Sequence, residues 1–218
     1  MGVFRSGVFA FVAMLFFAVA GPSIADPSTE ATRAAAEKGD AKSQFSLGVS
    51  YDSGKDVLQD LALAARWYRL AAEQGHVRAQ YNLGVMYDNG QGVPQDYAEA
   101  VRWYRLAAEQ GNASAQNNLG VMYDNGKGVP QDYAEAVRWY RLAAEQGNAG
   151  AQGNLGAMYD NGRGVPQNYV AAHMWANLAA AQGNVLASKN RGITASKMTS
   201  AQIAEAQRLA REWKPKAN

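Results

Sequence analysis

The sequence predicts an all-α solenoid built from helix-turn-helix repeats, and three observations predict it. Residues 82–111 return at 118–147 with a single change, Gln91 becoming Lys127. Gly39, Gly75, Gly111, Gly147 and Gly183 mark a constant 36-residue period. Within each period, two blocks place small, apolar and aromatic residues at three- and four-residue spacing, the mark of one helix face. A period of this size means stacked units, none able to bury its apolar face alone.

Residues 1–25 read as a segment outside the fold. Arg5 gives a positive start, an apolar run follows from residue 7 to 20, and Ser23-Ile24-Ala25 supplies small residues for cleavage. This is the layout of a secretory signal peptide. Cleavage is expected after Ala25, with Ala20 as the alternative and an uncleaved anchor as the competing reading. The whole chain has 21 basic and 19 acidic side chains, and removing residues 1–25 takes away only Arg5. The balance that remains lacks the strongly basic patch expected of a nucleic-acid binder. There is no cysteine, so neither lipoprotein acylation nor disulfide bracing is open to the exported chain. No later stretch has the ~20 apolar residues of a membrane span, so no membrane association is expected after cleavage.

Residues 26–38 align with the second half of a repeat: Arg33-Ala-Ala-Ala-Glu-Lys-Gly39 matches Arg69-Leu-Ala-Ala-Glu-Gln-Gly75. They are expected to be a lone second helix capping the stack. Four repeats follow, at 39–74, 75–110, 111–146 and 147–182, with capping helices at 183–218. In each repeat a first helix, typified by residues 113–123, starts after an N-cap such as Asn112. It stops at Asp124-Asn125-Gly126, residues that tolerate left-handed backbone. Pro130 precedes the second helix, where its missing N–H is harmless. Asp132 and Glu135 resemble a capping box, and the helix runs to about Gln146 before Gly147. Gln116, Leu119, Gly120 and Tyr123 share one face of the first helix; Tyr133, Ala136, Val137 and Tyr140 share one face of the second. The outer repeats diverge: Asp56, Leu58 and Leu61 replace the loop glycine, the proline and the helix tyrosine, and His173-Met174-Trp175-Ala176 replaces Val-Arg-Trp-Tyr. After Gly183, residues 184–191 begin one more first helix, ending near Gly192. Residues 199–213 form an amphipathic cap with Ile203, Ala206, Leu209 or Ala210, and Trp213 as its stripe. Residues 214–218 are expected to fray.

The block Ala115-Gln-Asn-Asn-Leu-Gly-Val-Met-Tyr-Asp-Asn-Gly-Lys-Gly-Val-Pro-Gln-Asp-Tyr-Ala-Glu-Ala-Val-Arg-Trp-Tyr-Arg-Leu-Ala-Ala-Glu-Gln-Gly147 closely resembles the Sel1-like repeat, a relative of the tetratricopeptide repeat. The resemblance covers residues 39–183 in four copies. It implies a right-handed α/α superhelix that serves as an adaptor or scaffold for other proteins, without naming the partner.

Little in the chain suggests catalysis. The two histidines, His76 and His173, lie nearly three repeats apart, and His76 stands where its neighbours have the helix-start residues Asn112 and Asn148. The Asp-Asn-Gly triplets at 88–90, 124–126 and 160–162 suggest part of a calcium loop. Pro94 and the start of the second helix fall inside the twelve residues such a loop requires. Some secreted proteins with this repeat have been described as penicillin binders or β-lactamases, yet no serine is followed three residues later by lysine. Neither a Gly-x-Ser-x-Gly elbow nor a phosphate-binding glycine loop is present. A non-enzyme without cofactor or metal is expected, with an envelope enzyme and a purely structural oligomerising module as alternatives.

The two central repeats differ at five positions, four of them at the start of the first helix: His76/Asn112, Val77/Ala113, Arg78/Ser114 and Tyr81/Asn117. By the resemblance, that face lines a concave groove. Stacking would align Lys42, Arg78, Ser114 and Gly150; then Phe45, Tyr81, Asn117 and Gly153; then Ser46, Asn82, Asn118 and Asn154. Asparagine offers both donor and acceptor to an extended backbone, and Lys42 and Arg78 suit a carboxylate. The candidate partner-binding residues are therefore Lys42, Phe45, Arg78, Tyr81, Asn82, Ser114, Asn117, Asn118 and Asn154. The partner is a peptide or protein, the location periplasmic or secreted, and ordinary surface drift is the competing account of these differences.

Overall fold

A computed structural model describes residues 27–216. The signal-peptide reading lies outside the described residues. Those residues form eleven α-helices and no strand: α1 (Pro27–Glu37), α2 (Ala41–Ser53), α3 (Leu61–Glu73), α4 (Val77–Asn89), α5 (Tyr97–Glu109), α6 (Ala113–Asn125), α7 (Tyr133–Glu145), α8 (Ala149–Asn161), α9 (Tyr169–Ala181), α10 (Val185–Ala195) and α11 (Ser200–Glu212). Each helix from α1 to α9 packs on the next, so that first helices α2 to α8 meet their own second helix and the one before it, giving a superhelical solenoid.

The caps set the element boundaries. Asp40, His76, Asn112, Asn148 and Asn184 accept from the third N–H of the first helices, satisfying donors that have no partner inside the helix. Gly54, Gly90, Gly126 and Gly162 close them in the left-handed region. The expected capping box at Asp132 forms only in part. Asp132 accepts from the Ala134 and Glu135 amides, but its own N–H donates to the Tyr123 carbonyl at 2.9 Å. Glu135 is thereby free to pair with Arg138 instead. The reciprocal box exists at Thr199 and Gln202, which start α11.

The core is out of step with the sequence repeat. Ala100, Val101, Tyr104, Ala107 and Ala108 of α5 pack with Ala115, Leu119 and Met122 of α6 and with Trp139 of α7. One unit of core thus draws on two repeats. A buried glutamine spine crosses the joints from α1/α2 to α7/α8. Gln80 and Gln116 donate to the carbonyls of Ala72 and Ala108 at 3.1 and 3.0 Å, and accept from Gln110 and Gln146 at 2.8 and 2.7 Å. A second ladder ties Arg105 to the Tyr123 hydroxyl at 2.7 Å and Arg141 to that of Tyr159 at 2.9 Å.

Two expectations at the C-terminal end need correction. α10 runs through Gly192 to Ala195, because the glycine sits mid-helix at the repeat position of Gly120. Residues 214–216 are held: the Lys216 N–H donates to the Glu145 carbonyl at 2.8 Å, its Nζ pairs with the Glu145 carboxylate at 2.7 Å, and Trp213 stands edge-on to Trp175. α11 packs on α9. This gives the divergence of the fourth repeat a purpose: Val170, Met174 and Leu178 make an apolar, half-buried stripe where α7 exposes Ala134, Arg138 and Leu142.

Candidate functional site

Consecutive first helices touch through their side chains. Phe45 of α2 stacks on His76 at 4.5 Å, and Arg78 of α4 lies 5.1 Å over the Phe45 ring. Asn154 of α8 donates to Asn117 of α6 at 3.1 Å. On the other side, clefts lie between a second helix and the loop of the following repeat. One of about 420 Å³ is lined by Val101, Arg105, Leu106 and Val129, and an equivalent of about 260 Å³ by Val137, Arg141, Leu142 and Val165. The first-helix side, on which neighbouring repeats touch directly, is called the inner face.

Along that face the helix period aligns Val49, Val85, Val121, Ala157 and Ile193 in one row. Ser46, Asn82, Asn118, Asn154 and Asn190 flank it on one side; Ser53, Asn89, Asn125 and Asn161 flank it on the other. The result is a strip of aliphatic side chains bordered by amides. Asn89, Asn125 and Asn161 each donate back to the carbonyl four residues earlier, at 2.9–3.0 Å, which leaves their oxygens outward.

The predicted residues divide by exposure. Lys42 and Arg78 are exposed, and among the described residues neither forms an ion pair. Phe45 is only 8% exposed and belongs to the core, so it supports Arg78 more than it meets solvent. Tyr81 is half-buried, 6.1 Å from the Tyr104 ring. Asn82 and Asn118 reach the hydroxyls of Tyr68 and Tyr104, whose ionisation burial pushes far up. Those tyrosines also donate to Asp52 and Asp88 at 3.1 and 3.2 Å. The asparagine row therefore has a structural duty as well as an accessible edge. Ser114 and Asn117 are half-buried, and Asn117 donates to Asn118 at 3.3 Å. Of the valine row, the sequence places only Val85 on this face, with Arg78, Tyr81 and Asn82; Val49, Val121, Ala157 and Ile193 join it once the repeats are stacked.

Burial holds both histidines below the usual imidazole range, with Arg78 beside His76 and Arg191 near His173 adding to it. His76 uses Nδ1 to accept from Ala79 N–H at 3.3 Å, and His173 is 4% exposed with its Nδ1 unpaired. The triplet aspartates are engaged within the fold: Asp124 accepts from Tyr140 at 3.4 Å, and Asp160 from Thr194 and Lys197 at 2.9 and 2.8 Å. Among the described residues, no group of three or more acids and histidines is placed to hold a metal ion, and no helix is long and apolar enough to cross a membrane.

The family model of the Sel1 repeat matches four times, at residues 41–76, 77–112, 113–148 and 149–184. Among solved structures, the chain is similar to c5321, a protective antigen present in uropathogenic Escherichia coli strains that displays an SLR fold. The two share 46% identity at a TM-score of 0.75, over 84% of this chain and 40% of that one, so the chain spans well under half the length of c5321. It is also similar to a Sel1 repeat protein from Oxalobacter formigenes, with 34% identity and a TM-score of 0.73 over 86% of this chain and 79% of that one. No curated protein sequence matches. With four consecutive repeat matches across the helix pairs that build the inner face, the chain belongs to the Sel1 repeat family.

Proposed function

We propose that the protein is an exported, non-catalytic scaffold of the bacterial cell envelope, periplasmic or secreted, whose inner face binds an extended segment of a protein or peptide partner. Sel1 repeats generally serve as protein-interaction scaffolds, and residues 1–25 carry the layout of an export signal. The observation that carries the reading is the row of Val49, Val85, Val121 and Ala157 between two rows of amides. Aliphatic contacts take alternate side chains of an extended chain, and amides pair with its backbone on either side. Catalysis needs convergent ionisable groups, and the acids nearest this strip are already bonded to tyrosines.

The test is photo-crosslinking in the producing cell. A photoreactive phenylalanine analogue at Ser114, on the inner face, is expected to give a discrete adduct with one partner. The same analogue at Ala134, on the outer side of α7, gives none. Adducts from position 134 alone would remove the inner-face reading, and fractionation of the same cells places the protein inside or outside the inner membrane.

A further inference from the structure

The inner face is not the same at its two ends. The row that carries Lys42 and Arg78 continues as Ser114, Gly150 and Leu186: two cations, a hydroxyl, a gap and an aliphatic side chain. Arg78 is held in place by the Phe45 ring, itself stacked on His76, and no carboxylate among the described residues pairs with it. In the middle, Asn154 donates to Asn117 and Asn117 to Asn118, which places the amide oxygen of Asn154 at the open end of the chain as an acceptor. At the far end, Leu186 and Ile193 of α10 are 65% and 49% exposed.

Leu186 and Ile193 fall in the inner rows, while Val185, 83% exposed, lies at the start of α10 outside them. α10 has no second helix of its own, since α11 lies on α9, and nothing comes within 4 Å of a Cβ built on Gly192. The surface left open there carries Ser188, Lys189 and Arg191, as the end of a solenoid should. Leucine and isoleucine occur only where α10 continues the inner rows.

Resting on the inner-face reading, we infer that the ligand is an extended peptide held in one direction, an acidic group over Lys42 and Arg78 and an apolar side chain against Leu186 and Ile193. Packed helices lie about 10 Å apart, so the three steps from α4 to α10 span roughly 30 Å, or about nine extended residues. The two anchors therefore sit about nine residues apart on the ligand.

The experiment selects binders from a randomised twelve-residue peptide library with free C-termini, using the full mature chain, and measures the enriched peptides by fluorescence anisotropy. Enriched sequences are expected to carry an acidic residue or their terminal carboxylate about nine residues from a Leu, Ile, Val or Phe. Arg78→Gln should weaken the parent peptide about tenfold but leave its amidated or Glu→Gln version unchanged, the size of a charge-assisted contact. Leu186→Ala with Ile193→Ala should weaken the parent but not the peptide whose apolar residue is alanine. Asn117→Tyr, which places mid-groove the residue that α4 already carries at Tyr81, should block all binding. Binding blocked by Asn117→Tyr with no coupling at either end overturns the direction alone. No enrichment, or binding indifferent to Asn117→Tyr, overturns the inner-face reading and the direction together. Circular dichroism melting of each variant confirms that the fold is retained.

Discussion

A Cβ on Gly120 would stand 2.6 Å from the Tyr140 ring, and Gly48 and Gly84 meet Tyr68 and Tyr104 in the same way. Each ring is fully buried and has no room to withdraw. Gly120→Ala should therefore destabilise the protein by about 1–3 kcal/mol through overpacking. Gly192→Ala, at the same repeat position but facing open space, should stabilise it by about 0.5–1 kcal/mol through helix propensity. Urea denaturation of the two variants measures both, and equal effects would show that the ring contact is not what selects glycine. The histidines act through charge. Burial favours their neutral forms in the native state, so the unfolded chain binds more protons and stability rises with pH. The stabilisation is present above the ordinary imidazole value of about 6.5 and is lost as pH falls below it. The Tm should drop between pH 7.5 and 5.5, and the drop should shrink in His76→Asn with His173→Val, which restore the residues of the central repeats. An unchanged slope in that variant would assign it to carboxylates.

At the scale of elements, α9 and α11 show why a diverged repeat is hard to read. Met174 in place of arginine and Ala176 in place of tyrosine look like relaxation at a chain end. In the structure the first belongs to the stripe beneath α11, and the second lets α8 and α9 approach closely, so that a Cβ on Gly156 would stand 3.1 Å from the Ala172 carbonyl oxygen. Removing residues 199–218 should expose Val170, Met174 and Leu178 and raise amide exchange in α8–α10 while leaving α2–α5 protected. Faster exchange throughout would mean that the stack behaves as one cooperative body. Helix identity and order were legible because each repeat carries a cap, a stop and a periodic face within a few residues of one another. What a side chain does across a joint was not. Phe45 aligns with Tyr81 and Asn117 yet lies in the core, and Asn82 and Asn118 serve buried tyrosine hydroxyls 14 residues earlier. The candidate site was legible as a face, through the clustered differences at Arg78 and Tyr81. The valine strip running along it needed the packing of one repeat on the next.

The molecule as a whole is a chain of nearest-neighbour joints, and its joints are interchangeable where its helices are identical. α5 and α7 have the same thirteen residues, Tyr-Ala-Glu-Ala-Val-Arg-Trp-Tyr-Arg-Leu-Ala-Ala-Glu. Deleting residues 113–148 brings α8 against α5, and every contact that α7 made with α8 is rebuilt by the same side chains. Glu109 replaces Glu145 as the acceptor for Lys216, and Gly153 meets Tyr81 with room to spare because it has no side chain. The glutamine spine also survives: Gln152 would donate to the Ala108 carbonyl as it now does to that of Ala144. The shortened protein should fold cooperatively with the helical signature of three repeats, and its urea m-value should fall by about a fifth, following the surface lost. Deleting 30 residues from the same point should fail to fold, because it removes a first helix but leaves the end of its partner behind. If the 36-residue deletion unfolded as well, stability would depend on contacts beyond adjacent repeats, and the additive description of this solenoid would be wrong.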